Sequence, residues 1–307
     1  MTDSLFCNKT PCGKVPKTLL LGNGISRAYD FQSWDELIDS ICTKHFTNSE
    51  RSIIKNAPYP LQPVILTGDH LGTQMKKISP DLSALRAALD EEKTLRKYAS
   101  LPFDAILTAN YTYELEKALD PTFQCMPGRK CSTRQIAYSK NGKYETEQLH
   151  TYYALGNNIP PIWHIHGEAA RHRTMILGHY YYGKLLSKMQ QYISPFIARY
   201  KGLTARGLDM DMHSWLDYFL IGDVYIVGLG MSLSEIDLWW LVNCKKRNFP
   251  NRKVVLYKPD IKDEERLLAK AYGVVVQDEF FNGDYKEYYN ILCEQLKNIV
   301  TSESPNE

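Results

Sequence analysis

The stretch TLLLGNGIS, residues 18–26, joins an apolar run directly to a turn that contains two glycines. A near-continuous apolar run is typical of a strand that is buried on both faces of a parallel sheet. The glycines permit a tight turn, and an amphipathic helical pattern follows them. This order of strand, glycine turn and helix predicts the first unit of an α/β fold.

Similar apolar runs recur along the chain and are separated by helical patterns. Trp34, Leu37, Ile38 and Ile41, for example, form one apolar helix face. The alternation predicts a Rossmann-like, doubly wound, mainly parallel sheet. Because the chain has no C-x-x-C pair, no zinc ribbon is expected. The five further candidate strands are DAILTAN (104–110), PIWHIHG (161–167), DVYIVGLG (223–230), KVVLYKP (253–259) and GVVV (273–276).

Two longer intervals interrupt this alternation. Residues 120–160 are rich in Gly, Asn, Pro, Lys and Tyr and predict an irregular insertion, whereas residues 180–220 predict additional helices. We therefore expect residues 1–307 to form a single domain that carries insertions at about 120–160 and 180–220.

Composition excludes several classes of protein. The net charge of +2 gives no bulk electrostatic attraction to nucleic acid or to a membrane surface. The seven cysteines are scattered and form no C-x-x-C pair, so no disulfide framework is indicated. Charged residues interrupt the most apolar region, 215–231, so no membrane span is expected. We expect a protein of the reducing cytoplasm.

Glycines also end the fourth candidate strand. Gly22 and Gly24 follow the first strand, and Gly228 and Gly230 follow the fourth. Glycine turns before helix N-termini are the layout of a pyrophosphate site, although each could also be a tight turn that binds nothing. Ser232 and Glu235 have the spacing of a capping box for the helix that ends at residues 245–247.

The segment TANYT, residues 108–112, ends the second candidate strand. Strand alternation predicts that Thr108, Asn110 and Thr112 share one face. A carboxamide both donates and accepts hydrogen bonds, which suits a ribose hydroxyl or a water molecule. The alternative is an asparagine that only closes a turn.

The third candidate strand carries two histidines. Alternation predicts that His164 and His166 leave the same face. They could be metal ligands, a catalytic base with its neighbour, or core histidines. No third ligand completes a local zinc motif, so we expect no metal.

Together these segments resemble the sirtuin-like NAD-hydrolysing family without its zinc module, and they are similar to AbiH-type proteins of abortive infection. GNGIS resembles the sirtuin segment GAGIS, TANYT resembles TQNID, HIHG resembles the segment of the catalytic histidine, and GMSL (230–233) resembles GTSL. MILGH, which ends at His179, is similar to an AbiH-type Gly-His pair. The chain departs from deacylating sirtuins in lacking two C-x-x-C pairs and in having Thr112 where they have aspartate.

The resemblance implies an NAD glycohydrolase that releases nicotinamide and ADP-ribose, with NAD as its substrate and no metal. It gives His166 the role of base and makes Asn110 the group that positions the ribose or the attacking water. His164 would support His166 or belong to the core. The residues implied in binding NAD are Gly22, Asn23, Gly24, Ile25, Ser26, Thr108, Gly228, Gly230 and Ser232.

The resemblance also implies a role in antiphage abortive infection through NAD depletion. Because constant activity would kill the cell, we expect gating by a partner subunit, a nucleotide signal or assembly into a homo-oligomer. Three alternatives remain open: a non-catalytic NAD or ADP-ribose sensor subunit, a protein deacylase, and a purely structural subunit of a defence complex.

Overall fold

A computed structural model describes residues 9–137, 147–156, 158–279 and 281–302 of the chain. The strands in this part of the chain are β1 (Lys9–Thr10), β2 (Lys17–Leu21), β3 (Ala105–Thr108), β4 (Arg134–Ile136), β5 (Thr151–Tyr153), β6 (Ile162–His164), β7 (Met210–Asp211), β8 (Asp223–Val227), β9 (Val254–Tyr257) and β10 (Val275–Gln277).

Helices connect most of these strands. They are α1 (Gly24–Ala28), α2 (Trp34–Ile41), α3 (Asn48–Lys55), α4 (Gln62–Thr67), α5 (Leu71–Ala84), α6 (Leu89–Ala99), α7 (Glu114–Leu119), α8 (Glu147–His150), α9 (His179–Thr204), α10 (Trp215–Ile221), α11 (Ile236–Asn248), α12 (Asp263–Tyr272) and α13 (Tyr285–Ser302), with 3₁₀ turns at Gly68–His70 and Ala169–Thr174.

The central sheet has eight strands in the order β10-β9-β8-β2-β3-β6-β5-β4. All pairs from β10 to β6 are parallel, whereas β5 and β4 extend the sheet with antiparallel pairing. β1 and β7 form a separate antiparallel pair. The predicted Rossmann-like, mainly parallel sheet is therefore confirmed, and each of the six predicted runs overlaps one of its parallel strands.

Both faces of the sheet are covered by helices. Along β2, Leu19 and Leu21 pack into one buried cluster with Leu37 of α2, whereas Leu20 packs into a second cluster with Leu216 of α10. Alternate side chains of one strand thus enter two cores. This explains why the strands are apolar without interruption, since neither face meets solvent.

The first predicted insertion contains more regular structure than its composition suggests. Residues 120–160 contribute β4, α8 and β5, although residues 138–146 and 157 of that interval lie outside the described part of the chain. Two short stretches of this predicted irregular insertion pair with the edge of the sheet. Residues 180–220 are mainly helical, as predicted, with α9 and α10. The single-domain arrangement stays a prediction.

One predicted helix start is wrong. α11 begins at Ile236 with Glu235 in the N-cap position, and the Glu235 side chain makes no capping bond. The Ser232 hydroxyl instead accepts a hydrogen bond from the Ser234 backbone N–H at 3.3 Å. The reason is local geometry, because Met231 has a φ of 45° and a turn at 233–234 delays the helix.

None of the helices in the described part of the chain combines the length and apolar character needed to cross a lipid bilayer.

Candidate active site

Four neighbouring parallel strands bring the predicted site segments to one edge of the sheet. The strands β8, β2, β3 and β6 lie side by side and run in the same direction. Their carboxyl ends therefore place residues 228–235, 22–24, 109–113 and 165–167 along a single edge. Open α/β sheets bind ligands at this edge.

The glycines of the first two segments hold the segments against each other. The Gly22 N–H donates to the Val227 carbonyl at 2.9 Å, and the Gly24 N–H donates to the Gly228 carbonyl at 2.7 Å. A Cβ on Gly22 would lie 2.5 Å from the Gly228 oxygen, and one on Gly24 would lie 2.7 Å from the Gly228 Cα. These glycines are thus required by backbone contact between the two loops.

The other residues of the first loop have internal partners. The Asn23 carboxamide donates to the Gln32 carbonyl at 2.9 Å. Ile25 and Ser26 are buried, and the Ser26 hydroxyl is bonded to the Glu91 carboxylate. Asn23 and Gly24 are half-buried. These two residues are therefore the part of the loop that a ligand could reach.

The second glycine loop is more open at its tip. Gly230 is exposed, and a Cβ there would meet no atom within 4 Å. Its carbonyl accepts a hydrogen bond from the Lys258 ammonium at 2.7 Å. Ser232 is half-buried, and its carbonyl accepts from the Trp239 indole N–H at 2.9 Å. The backbone carbonyls of Gly230 and Ser232 thus attach the loop to the side chains of Lys258 and Trp239.

Asn110 lies just beyond β3, half-buried at the edge. Its N–H donates to the hydroxyl of buried Thr108 at 3.1 Å, and its carbonyl lies 2.7 Å from His164 Nδ1. The structure gives its carboxamide no hydrogen bond to another described residue. Because β3 ends at Thr108, the strand alternation that assigned Thr108, Asn110 and Thr112 to one face does not extend past it.

His164 is a buried structural histidine. Its Nδ1 bonds to the Asn110 carbonyl and its Nε2 to the Glu116 carboxylate at 2.8 Å. Burial alone lowers the pKa of His164, but the charge and hydrogen bond of Glu116 raise it to about 9. His164 is therefore protonated at neutral pH, and both of its nitrogens are used. It ties the loop of Asn110 to α7.

His166 has a different environment. Because β6 ends at His164 and residues 165–166 form a turn, the alternation that placed both histidines on one strand face does not extend to His166. Gly167 completes this turn with a φ of 83°, and a Cβ there would overlap the Thr174 carbonyl. Glycine is therefore the residue that this turn requires.

His166 reaches across the edge to the start of α11. Its Nε2 lies 2.8 Å from Oδ2 of Asp237, which is 0% exposed, and His166 itself is 4% exposed. The structure shows no other side-chain hydrogen bond of His166 within the described residues. Burial alone lowers the pKa of His166, but the Asp237 carboxylate outweighs burial, so this pKa lies above its ordinary value.

Glu235 completes an acid–imidazole cluster, which we define as His166, Glu235 and Asp237. One ligand atom of each lies within 4.8 Å of the others, a grouping that could hold a metal ion. Burial raises the pKa of Glu235 to about 7, although the nearby His166 opposes that effect. The cluster therefore places two buried carboxyl groups beside a single imidazole.

Tyr182 and Tyr111 lie near the acid–imidazole cluster. The Tyr182 ring packs edge-on against the His166 ring with centroids 5.8 Å apart. The Tyr111 hydroxyl donates to the Ile176 carbonyl at 2.7 Å, and the Ile176 N–H donates to the His166 carbonyl at 2.7 Å. Burial raises the pKa of Tyr111, and the negative charges of Glu235 and Asp237 raise it further. Tyr111 therefore links the Asn110 loop to the His166 loop.

Sequence reasoning found the loops but missed several of their partners. Asp237, Tyr111, Tyr182 and Glu116 were not assigned, and Glu235 was expected only to cap a helix. An available signal was the pair of acids in SEID, residues 234–237, directly after a glycine-ended strand. His179, the histidine of the MILGH segment, is exposed at the first position of α9.

The fold and this edge agree with a family assignment. A family model for the SIR2-like domain matches residues 104–276, which is more than half of the chain, so the protein belongs to the SIR2-like family. The matched region contains Asn110, His166 and Asp237 but begins after the GNGIS loop. No protein among the curated sequences matches the chain.

Family membership connects the protein with NAD in general, because SIR2-like proteins are as a class NAD-dependent enzymes. The fold places glycine loops at the carboxyl edge of a parallel sheet, where open α/β sheets bind ligands.

Proposed function

We propose that the protein is an NAD glycohydrolase that cleaves the nicotinamide–ribose bond to give nicotinamide and ADP-ribose. The observation that carries this proposal is the buried His166–Asp237 pair, on the same sheet edge as Asn110 and the glycine loops. Family membership supports NAD as the substrate. The proposed reaction uses no metal.

Cleavage of the nicotinamide–ribose bond does not require a strong nucleophile. Nicotinamide is a neutral leaving group once the bond breaks, and the ribose develops positive charge in an oxocarbenium-like transition state. Negative charge placed beforehand near that carbon stabilises the transition state more than the ground state. Asp237 and Glu235 would supply this charge beside His166.

His166 would act as the base. If Nε2 donates its proton to Asp237, the lone pair on Nδ1 is free to accept a proton from water or a ribose hydroxyl. Asp237 thereby fixes the tautomer and strengthens the base, as carboxylates do for catalytic histidines. The carboxamide of Asn110 would orient the ribose or the water.

Binding would use the loops that flank these groups. The backbone of Asn23 and Gly24 and the open tip at Gly230 would contact the phosphates and the adenosine half. Ile25, Ser26 and Gly228 would hold the loop backbones in place. Thr108 and Ser232 would support the polar groups at the edge of the site. These assignments follow from which groups are partly exposed and which are buried.

The test compares wild type with His166→Ala, Asn110→Ala and the surface control Glu36→Gln. Each protein is incubated with NAD, with and without phage lysate, and the products are identified by mass. We expect wild type and Glu36→Gln to release nicotinamide and ADP-ribose, and losses of roughly 10²-fold or more in the two site variants. Equal hydrolysis by all four proteins would refute the assigned site.

Tight NAD binding by wild type without products, under every condition, would instead favour the sensor alternative. Action on acyl-lysine peptides would favour a deacylase.

We further propose that the enzyme depletes cytoplasmic NAD during phage infection, as in AbiH-type abortive infection, and that a partner, a nucleotide signal or homo-oligomer formation gates it. The sequence resemblance and the toxicity of unrestrained NAD loss support this role. In cells that express the protein, total NAD should collapse after infection and should stay constant before it. His166→Ala should abolish the collapse.

A further inference from the structure

The acid–imidazole cluster contains two carboxylate oxygens that have no partner. Oε2 of Glu235 and Oδ1 of Asp237 are buried, and neither has a hydrogen bond within the described part of the chain. A buried acceptor without a donor is destabilising, and more strongly so if it is charged. Two such oxygens beside one imidazole therefore mark a position that favours a cation.

The ligand types define which cation fits. One imidazole and two carboxylates are borderline to hard ligands, a set that suits Mn²⁺, Fe²⁺ or Zn²⁺. Ions of this class lie about 2.0–2.2 Å from such ligands, so opposite ligand atoms are at most roughly 4.4 Å apart. The three ligand atoms lie within 4.8 Å of one another, so the side chains must move closer together to bind an ion. Nε2 of His166 must also exchange its 2.8 Å contact with Oδ2 of Asp237 for the ion.

We propose that His166, Glu235 and Asp237 form a binding site for one divalent transition-metal ion. The ion would take Nε2 of His166 together with one oxygen from each carboxylate. It would satisfy Oε2 of Glu235 and Oδ1 of Asp237, the two oxygens for which the described residues supply no partner.

This site would inhibit the enzyme, a consequence that rests on the proposed function. In the metal-free state Nε2 carries the ring proton and donates it to Asp237, which leaves Nδ1 as the base. When an ion occupies Nε2, the single proton of the neutral ring must reside on Nδ1. Nδ1 then donates and can no longer accept a proton, so His166 loses its role as a base.

The binding test uses the full chain after EDTA treatment and dialysis. Mn²⁺ is the probe because its ligands are nitrogen and oxygen, so the free cysteines compete little for it. Free Mn²⁺ is measured by electron paramagnetic resonance during the titration. We expect one Mn²⁺ per wild-type chain and affinity weakened by roughly 10- to 100-fold or more in Glu235→Gln and Asp237→Asn.

Glu36→Gln is the matched control, since Glu36 is also a carboxylate in the first turn of a helix but its oxygen accepts from the Ser33 N–H. It should bind Mn²⁺ like wild type. Thermal unfolding without Mn²⁺ reports whether each variant folds. The proposal is overturned if wild type binds no stoichiometric Mn²⁺, or if folded Glu235→Gln and Asp237→Asn bind it as wild type does.

A second measurement separates this site from the proposed function. NAD hydrolysis by wild type should fall when Mn²⁺ is added and return with EDTA. Mn²⁺ binding in a protein that never hydrolyses NAD would support the site and refute the hydrolase. Mn²⁺ binding with unchanged hydrolysis would support the site and refute inhibition through His166.

Discussion

His166 and Asp237 come from opposite sides of the site and form a buried contact of 2.8 Å between Nε2 and Oδ2. His166 follows β6, whereas Asp237 lies in α11, which follows β8, and the strands β3 and β2 separate β6 from β8 in the sheet. The contact therefore spans the carboxyl ends of the two central strands. It places the imidazole over the region where the loops after those strands meet.

Replacing Asp237 by asparagine should impair catalysis much more than binding. Asparagine keeps the size of the side chain but can present an N–H to Nε2, which favours the wrong tautomer of His166. We expect kcat for NAD hydrolysis to fall by roughly 10²- to 10⁴-fold, as for other carboxylate–histidine pairs. Affinity for NAD, measured by calorimetry, should change little.

Glu36→Gln again provides the control for general effects of removing a helix-start carboxylate. A variant Asp237→Asn that keeps wild-type kcat would contradict the orienting role of Asp237, and with it the assignment of Nδ1 as the base.

The two glycine loops make a prediction about stability. In Gly22→Ala the new methyl would lie 2.5 Å from the Gly228 oxygen and 2.6 Å from the Leu229 Cα, and both are backbone atoms that cannot rotate away. We expect a loss of roughly 1–3 kcal/mol in the free energy of unfolding. Urea denaturation measures this loss.

Gly230→Ala is the matched comparison, because the added methyl would meet no atom within 4 Å. It should change the free energy of unfolding by no more than about 0.5 kcal/mol. If both substitutions destabilise the protein equally, the backbone contact between the two glycine loops does not explain why position 22 requires glycine.

The His164–Glu116 pair predicts a pH dependence of stability. The folded-state pKa of His164 is raised to about 9, from an unfolded value of about 6.5. Its contribution is therefore fully present below pH 6.5 and is lost as the pH rises through about 9. An NMR titration of the His164 ring should follow the same transition.

Glu116→Gln removes the charge that holds this proton. Breaking a buried ion pair costs roughly 3–5 kcal/mol, so this variant should be less stable than wild type at pH 6. The difference in free energy of unfolding between the two proteins should shrink as the pH approaches 9.5, above the folded pKa of about 9. A difference that stays constant with pH would mean that His164 is neutral in the folded protein.

Much of the fold could be predicted because its signals are local. The apolar runs that predict β2, β3, β6, β8, β9 and β10 need only their own residues and the rule that parallel strands are buried on both faces. The helix at 34–41 was likewise evident from its apolar spacing. The antiparallel strands β4 (RQI) and β5 (TYY) escaped prediction because neither lies in a near-continuous apolar run.

The sequence by itself determined the parallel sheet, the order of its glycine-ended strands and the segments that lie along its carboxyl edge, since periodicity and turn chemistry are properties of neighbouring residues. Only the tertiary structure decided which side chains meet there. It joined His166 to Asp237 and His164 to Glu116, pairs separated by 71 and 48 residues. Two histidines two positions apart thereby acquire different partners, because strand order and the turn after β6 select the carboxylate that each imidazole contacts.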